Sequence, residues 1–430
     1  MSITVTNAEI ADLQARHEEV FRPPFLRRYG LLLAFAFCAF YSVYCWWFFG
    51  VGKVLERANW GIAGTYLADW VSYEVRPDVE FEDGYLEITY PRFSPLGDNP
   101  DPDWIVTKRI LINGLGRSGT SWVQKVFDHH PSVLAIHEPD LVYRFGDVIT
   151  EKTVGEMAEK YFSRRPLRAM RKRPILRKPY RSNAAHHLRN TYMYGASMVS
   201  TLLPEAKRPF VQVPDFTGRP GPSHTVVKTV TRQSYAPEFA QSNPDMKVIY
   251  VVRHPCGYVA SQSKGMNSGK MTPVYLPPRE ELARLYSFDG RTADELHEED
   301  FTELEIMAYR WSVLNDVVLR KIDGRENMRV VLYEDLCAHP REAFADLLEW
   351  CGLDWAEECD AFIARSLDQD GDADGYHDLV RNPLTAATRW STTLPKDDQK
   401  QVISIAKESC AFGLFQGPDA PRSIPQSMVT

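Results

Sequence analysis

A lysine is missing where a nucleotide triphosphatase would need one. The stretch Gly114-Leu-Gly116-Arg117-Ser118-Gly119 is followed by Thr120 and Ser121, whereas a Walker A loop carries Lys and then Ser/Thr after its last glycine to reach the β/γ-phosphates and magnesium. Positive charge is also short: 50 Lys and Arg against 57 Asp and Glu leave a net charge of −7. That balance gives no general attraction to nucleic acid, so any anionic ligand must be held by local clusters. Cysteine is sparse and unpatterned. The seven residues form no Cys-x-x-Cys pair and no zinc-type spacing, which excludes a zinc ribbon or a thioredoxin-type motif. Cys38 and Cys45 lie in an apolar run, and the odd set Cys256, Cys337, Cys351, Cys359 and Cys410 is expected to be mostly buried thiols. No Asn-x-Ser/Thr glycosylation signal occurs.

What is present is an apolar segment, 110–113, running into the glycine turn and then a helical pattern. This is an anion cradle: glycines let backbone N–H groups close around a phosphate, and the following helix presents its positive end. Arg117, Ser118, Thr120 and Ser121 add charge and hydroxyl donors. Gly114-x-Gly116-x-x-Gly119 also matches the dinucleotide fingerprint, with Glu138 near the distance of its ribose-binding acid. Arg117 inside the turn and bulky Trp122 after it fit that reading poorly.

The run Gly116-Arg-Ser-Gly-Thr-Ser-Trp122, followed by His130-Pro131 and His137-Glu138-Pro139, resembles the 5′-phosphosulfate loop of the sulfotransferases. A second, independent motif, Val248-Ile-Tyr-Val-Val-Arg253-His-Pro-Cys-Gly-Tyr-Val-Ala-Ser261, is similar to that family's 3′-phosphate strand and helix. The resemblance covers about 105–414 and leans toward the membrane-bound, carbohydrate-sulfating branch through Tyr333-Glu-Asp-Leu336, Cys351-Gly-Leu353, Arg381-Asn-Pro383 and Arg389-Trp390. It implies PAPS as cofactor, with 3′,5′-ADP as product, a hydroxyl acceptor, in-line sulfonate transfer and no metal. PAPS carries a phosphosulfate at one end and a 3′-phosphate at the other, so two anion sites are required.

By the same resemblance Gly116, Arg117, Ser118, Gly119, Thr120 and Ser121 line the phosphosulfate cradle, and Trp122 takes a position whose ring stacks on adenine in relatives. Arg253 and Ser261 take the 3′-phosphate, while Arg381 and Arg389 close over the cofactor from a C-terminal loop. Arg117 neutralises the oxygens of the transferring group, and Lys228 stabilises charge on the leaving phosphate. The base is Glu138 or His137, with Glu138 favoured, because the Lys-Thr-His segment of cytosolic members is here Lys228-Thr229-Val230. Two departures stand out: the Lys-Gly-x-x-Gly clamp of cytosolic members is absent, and Arg389-Trp390 reverses the usual Trp-Arg order. The competing readings are a P-loop nucleotide kinase and a non-catalytic nucleotide-binding membrane protein.

The fold expected is α/β, with a P-loop-type central parallel sheet flanked by helices. Strand candidates are 109–112, 132–136, 225–230, 247–252 and 328–332, with ligands beyond their carboxyl ends. Ahead of this part lie a polar segment (1–28) with a helical pattern over 8–20, an uncharged run (29–52) long enough to cross a bilayer, and a membrane-proximal segment (53–104). The last holds a hairpin pattern over 79–90 around Asp83-Gly84 and a proline-rich linker over 91–102. The catalytic part is expected over 105–415 and a tail over 416–430. Arg22, Arg27 and Arg28 precede the apolar run, so the positive-inside rule predicts a single-pass membrane protein with a cytosolic N-terminus. Its catalytic part then faces the Golgi lumen in a eukaryote, or stays cytosolic beside a bacterial inner membrane. A basic run over 164–181 suggests a grip on an anionic glycan or lipid, and equally suits a solvated helix face.

Overall fold

The computed structural model describes the strands at 78–82 and 85–89 and residues 107–141, 151–172, 175–202, 211–214, 216–217, 221–269, 271–283, 288–368 and 382–416. The predicted helix over 8–20, the apolar run 29–52, the linker 91–102 and the tail beyond 416 lie outside the described residues. The chain divides into two units, residues 1–101 and 102–430. In the first, β1 (Asp78–Glu82) pairs antiparallel with β2 (Tyr85–Thr89), with Glu82 opposite Tyr85. That register leaves two residues, Asp83 and Gly84, to join the strands, the spacing of a tight hairpin.

The second unit is built on five strands: β3 (Lys108–Gly114), β4 (Val133–His137), β5 (His224–Lys228), β6 (Lys247–Val252) and β7 (Met328–Leu332). All pair in parallel, in the order β4-β5-β3-β6-β7, so the expected parallel sheet is present at the expected places. Along β3 and β6 the side chains alternate between two buried layers, Leu111, Val248 and Tyr250 on one face and Ile110, Ile112, Ile249 and Val251 on the other. Burial on both faces explains why these strands read as unbroken apolar runs rather than alternating patterns. Each such side chain contributes about 1.5–3 kcal/mol when fully buried.

Helices cover both faces. On one side lie α1 (Thr120–His129) and the C-terminal helices Tyr333–Ala338, Pro340–Trp350 and Glu357–Leu367, whose apolar residues share one layer with Ile110 and Val226. On the other lie α2 (Glu151–Ser163), α3 (Pro255–Asn267), α4 (Glu303–Leu319) and α5 (Lys396–Ala406). A 20-residue helix, Asn183–Leu202, follows the basic run. The chain leaves β3 toward β5 and β4 on one side and later adds β6 and β7 on the other. The carboxyl end of β3 is therefore a topological switch point, where open α/β sheets bind ligands. Among the described residues no helix is long and apolar enough to cross a membrane.

Candidate functional site

The loop after β3 is held in a shape that few sequences tolerate. Arg117 (φ 76°) and Gly119 (φ 89°) are both left-handed. The non-glycine Arg117 pays about 1–2 kcal/mol for this, a cost typical of functional turns. At Gly119 the reason is also space: a Cβ there would lie 2.1 Å from the Tyr333 ring. The turn is closed by Ser118 N–H donating to the Leu115 carbonyl at 3.1 Å, and the first turn of α1 hangs from the Gly119 carbonyl, which accepts from Trp122 N–H at 2.9 Å.

Arg117 is tied to the next strand's motif. Its Nε donates to Ser261 Oγ at 3.0 Å, and its carbonyl accepts from Arg253 Nη1 at 3.0 Å. Arg253 Nη2 donates to the Ala386 carbonyl at 2.5 Å, and the guanidinium lies 4.9 Å above the Tyr333 ring. The fork expected to face a phosphate thus spends its outer nitrogens on two backbone carbonyls, joining the glycine loop to the C-terminal segment. Its buried Nε has no hydrogen-bond partner among the described residues. Gly257, one turn into α3, makes room for it, since a Cβ there would stand 2.9 Å from that Nε. Beneath, Glu334 is fully buried and accepts from His254 N–H at 3.0 Å. Burial pushes its carboxyl up to about 7, despite the Arg253 cation.

The opposite wall comes from the ends of β4 and β5, which the sheet register sets side by side with His137 opposite Lys228. Glu138 sits just past β4 with φ 51° and donates its N–H to the Lys228 carbonyl at 2.8 Å. The Lys228 ammonium, 2% exposed, bonds back to the Glu138 carboxylate. Burial pushes the Lys228 ammonium below its ordinary value. Burial raises Glu138, but Lys228 and then His137 outweigh it and hold the carboxyl below the usual carboxylate range.

His137 is fixed in one tautomer by its neighbour. Gln124 Nε2 donates to the Ile136 carbonyl at 2.8 Å, which turns Gln124 Oε1 toward His137 Nδ1 at 2.6 Å. Nδ1 therefore carries the proton and Nε2, 3.6 Å from Glu138 Oε1, is bare. Burial, then the Lys228 charge, pushes the imidazole down to about 3, so it is neutral at physiological pH.

Both walls line one cleft of about 1290 Å³. Gly116, Arg117, Gly119, Thr120, Ser121, Trp122, His137, Glu138, Lys228, Arg253, Ser261 and Arg389 all reach it. Ser118 is buried behind the loop at 1% exposure, and Arg381 lies outside the described residues. Trp122 is largely a core residue, edge-on to Phe344 at 5.1 Å and to Tyr333 at 6.2 Å, with its rim on the cleft. Sequence reasoning passed over three participants. Lys172, inside the basic run, lines the cleft, and burial lowers its ammonium. Gln124 orients His137, and Trp390 stacks on His254 at 4.4 Å while lining the cleft. Lys172 left a trace in the sequence as one basic residue among many and Trp390 as half of the Arg389-Trp390 pair, whereas Gln124 left none. Among the described residues no three His, Cys, Asp or Glu are grouped to hold a metal.

A profile of the sulfotransferase family matches residues 109–357. No curated protein sequence matches the chain. Solved structures similar to it include the sulfotransferase domain from the curacin biosynthetic pathway, at 16% identity over 70% of this chain and 97% of that one, with a TM-score of 0.36. Mouse sulfotransferase SULT7A1 complexed with PAP matches at 10% identity over 71% of this chain and 85% of that one, with a TM-score of 0.36. Retinol dehydratase in complex with androsterone and the inactive cofactor PAP matches at 14% identity over 70% and 80%, with a TM-score of 0.31. The matched profile spans more than half of the 430 residues, from β3 and its glycine loop to the start of Glu357–Leu367, and the chain belongs to the sulfotransferase family, the PAPS-dependent transferases.

Proposed function

We propose that this enzyme moves a sulfonate group from PAPS to an acceptor hydroxyl, a sugar hydroxyl first and a lipid or small-molecule alcohol second. The observation that carries the reading is the pairing of two cationic donor sets in one cleft, Arg117 with the glycine loop and Arg253 with Ser261, beside the buried Lys228–Glu138 pair. The residues present suit a ligand with two anionic ends. The glycine loop holds Arg117 and Gly119 in left-handed backbone at the edge of the cleft, and the Arg253 Nε has no hydrogen-bond partner among the described residues.

Bound PAPS supplies the sulfonate, whose sulfur gains a bond to the acceptor oxygen as its bond to the 5′-phosphate oxygen breaks. The chain's part is to take the hydroxyl proton and to meet the charge that leaves. Glu138 is ionised at neutral pH and accepts the proton on its carboxylate. While Lys228 holds it the carboxylate is a weak base, but a Lys228 ammonium drawn toward new negative charge on the other side releases it and raises its proton affinity. His137 gains less from such a move, because burial is the chief cause of its low basicity and burial does not change. Lys228 and Arg117 then stabilise the departing phosphate. Arg389 and Arg381, from the C-terminal segment, complete the cofactor contacts in this reading.

A single-pass anchor over 29–52 belongs to the same reading, supported by the uncharged apolar run and the preceding arginines. Protease protection on sealed vesicles decides which side holds the catalytic unit. The reaction is tested by calorimetry and a labelled-PAPS screen of sugars, lipids and simple alcohols. 3′,5′-ADP should bind and label should pass to a hydroxyl; ATP binding that 3′,5′-ADP does not compete would instead favour the nucleotide kinase.

A further inference from the structure

The basic run over 164–181 is divided: Arg164, Arg168, Arg171 and Arg177 are exposed, while its later part turns two cations inward. Lys178 and Arg181 are only 4% and 5% exposed, and Arg189, nearly two turns into the helix that follows, is 6% exposed. Together with Lys125 and Lys172 they line a small, partly open pocket of about 40 Å³ beside α1 and the end of β4. A void of that size holds a few waters or one small polyatomic group.

The cavity is strongly short of negative charge. Among the described residues that line it, Asp128 is the single carboxylate, and it is already engaged by Lys125 at 2.6 Å and, more distantly, by Lys178 at 3.9 Å. Lys178 spends donors on the carbonyls of Asp128 and His130. Arg181 makes no ion pair among the described residues; it leans on the Tyr180 ring at 5.2 Å, and its buried Nε has no partner. Among the described residues Arg189 reaches only the Met170 carbonyl, at a long 3.4 Å. Buried guanidinium groups without a counter-charge are expensive. The same cost acts on their charged forms: burial and then Arg181 push Arg189 down to about 10, and burial pushes Lys178 down to about 8.

We infer that this cavity is an oxyanion subsite, taking one sulfate, phosphate or carboxylate group between Arg181, Arg189 and Lys172. Its position gives it a use. His137 and Lys172 line both this cavity and the large cleft, so an anion here sits across the imidazole from Glu138. Such a group comes either from a charged substituent of the acceptor or from free inorganic anion. The assignment is separate from the cofactor reading, because Arg181 and Arg189 line the small cavity and not the cleft.

Equilibrium dialysis of the full-length protein with labelled inorganic sulfate, at fixed ionic strength and with 3′,5′-ADP present, tests it. Arg181→Gln and Arg189→Gln should each weaken sulfate binding at least tenfold, about 1.4 kcal/mol, while 3′,5′-ADP binding stays unchanged and reports an intact fold. Arg189→Lys keeps the charge and should lose less, which guards against a variant that fails to fold. Displacement of the sulfate by p-nitrophenyl β-glucuronide but not by the β-glucoside assigns the group to the acceptor; displacement by neither assigns it to free anion. Sulfate binding of equal strength in wild type and in the folded Arg variants, or no binding at all, overturns the subsite. Failure of 3′,5′-ADP to bind strikes the cofactor reading alone.

Discussion

Lys228 and Glu138 are joined twice, ammonium to carboxylate and Lys228 carbonyl to Glu138 N–H at 2.8 Å. The second bond fixes the backbone, so the charge pair can open without the strand ends moving apart. Glu138→Gln should therefore lower kcat by about 10²–10⁴, the usual worth of a general base, and leave the affinity for 3′,5′-ADP within about twofold. Activity unchanged in this variant would move the base to His137 or to another group.

Lys228→Met tests the other half of the pair through pH. The wild-type carboxyl is held below the ordinary carboxylate range against the opposing pull of burial. Without the ammonium, burial acts with less opposition and the Glu138 pKa rises. A base must be ionised to work, so the acid limb of the kcat profile should shift to higher pH in Lys228→Met, together with a loss of rate at all pH values. Stability should follow the same sign. The depressed carboxyl stabilises the wild-type fold above its unfolded pKa, and that contribution is lost as pH falls through the folded value. An acid limb that stays in place would show that Glu138 does not set it.

Glu334 gives the opposite slope. Its carboxyl is raised to about 7 by burial, so between the ordinary carboxylate pKa and about 7 the folded state binds more protons than the unfolded one. Its contribution to stability is then fully present at low pH and falls as pH rises across that window. Glu334→Gln keeps an acceptor for His254 N–H and removes the titration. The variant should match wild type near pH 4 and be relatively more stable by about 1–3 kcal/mol near pH 8, read as the denaturation midpoint at each pH. Equal offsets at both pH values would mean that Glu334 does not titrate in this range.

The parallel sheet and the carboxyl-end location of the site were legible because β3 and β6 are buried on both faces, which writes an apolar run, and because the glycine turn needs particular residues. The alignment of His137 with Lys228 was not, since parallel register is set by crossovers far apart in sequence. Gln124 and Lys125 were hidden for a related reason. They lie on α1, where periodicity marks Val123, Val126 and Phe127 as core but cannot say that a neighbouring polar residue is also buried, at 2% and 3% exposure. The basic run was ambiguous for a similar reason: composition gives its charge, but only packing shows that Lys178 and Arg181 point inward while Arg164, Arg168, Arg171 and Arg177 stay exposed.

Gly119→Ala should be among the most damaging small changes in the chain. The new methyl would meet the Tyr333 ring at 2.1 Å in a left-handed backbone. Strain and overpacking together cost about 2–5 kcal/mol, and 3′,5′-ADP binding should be lost with the loop shape. Adding Tyr333→Leu relieves the clash but not the backbone strain, so it should restore part of the stability and little of the binding. A stable, fully binding Gly119→Ala would contradict this loop geometry.

The bond from Arg117 Nε to Ser261 Oγ at 3.0 Å links the glycine loop to the helix after β6, the two halves of the proposed cofactor site. It predicts that their contributions are coupled. Ser261→Ala removes one side-chain hydrogen bond to a cation and should weaken 3′,5′-ADP by about three- to tenfold, in line with about 1 kcal/mol per bond. Arg117→Lys keeps a positive charge but loses the planar fork, so it should also weaken binding, and should lower the rate further because the charge is placed differently at the transferring group. In the double variant the two losses in affinity should fall short of their sum by about 0.5–1.5 kcal/mol, the signature of residues in direct contact. Strict additivity would mean that the phosphosulfate loop and the Arg253–Ser261 element act on the nucleotide independently, and that Ser261 touches the ligand without Arg117.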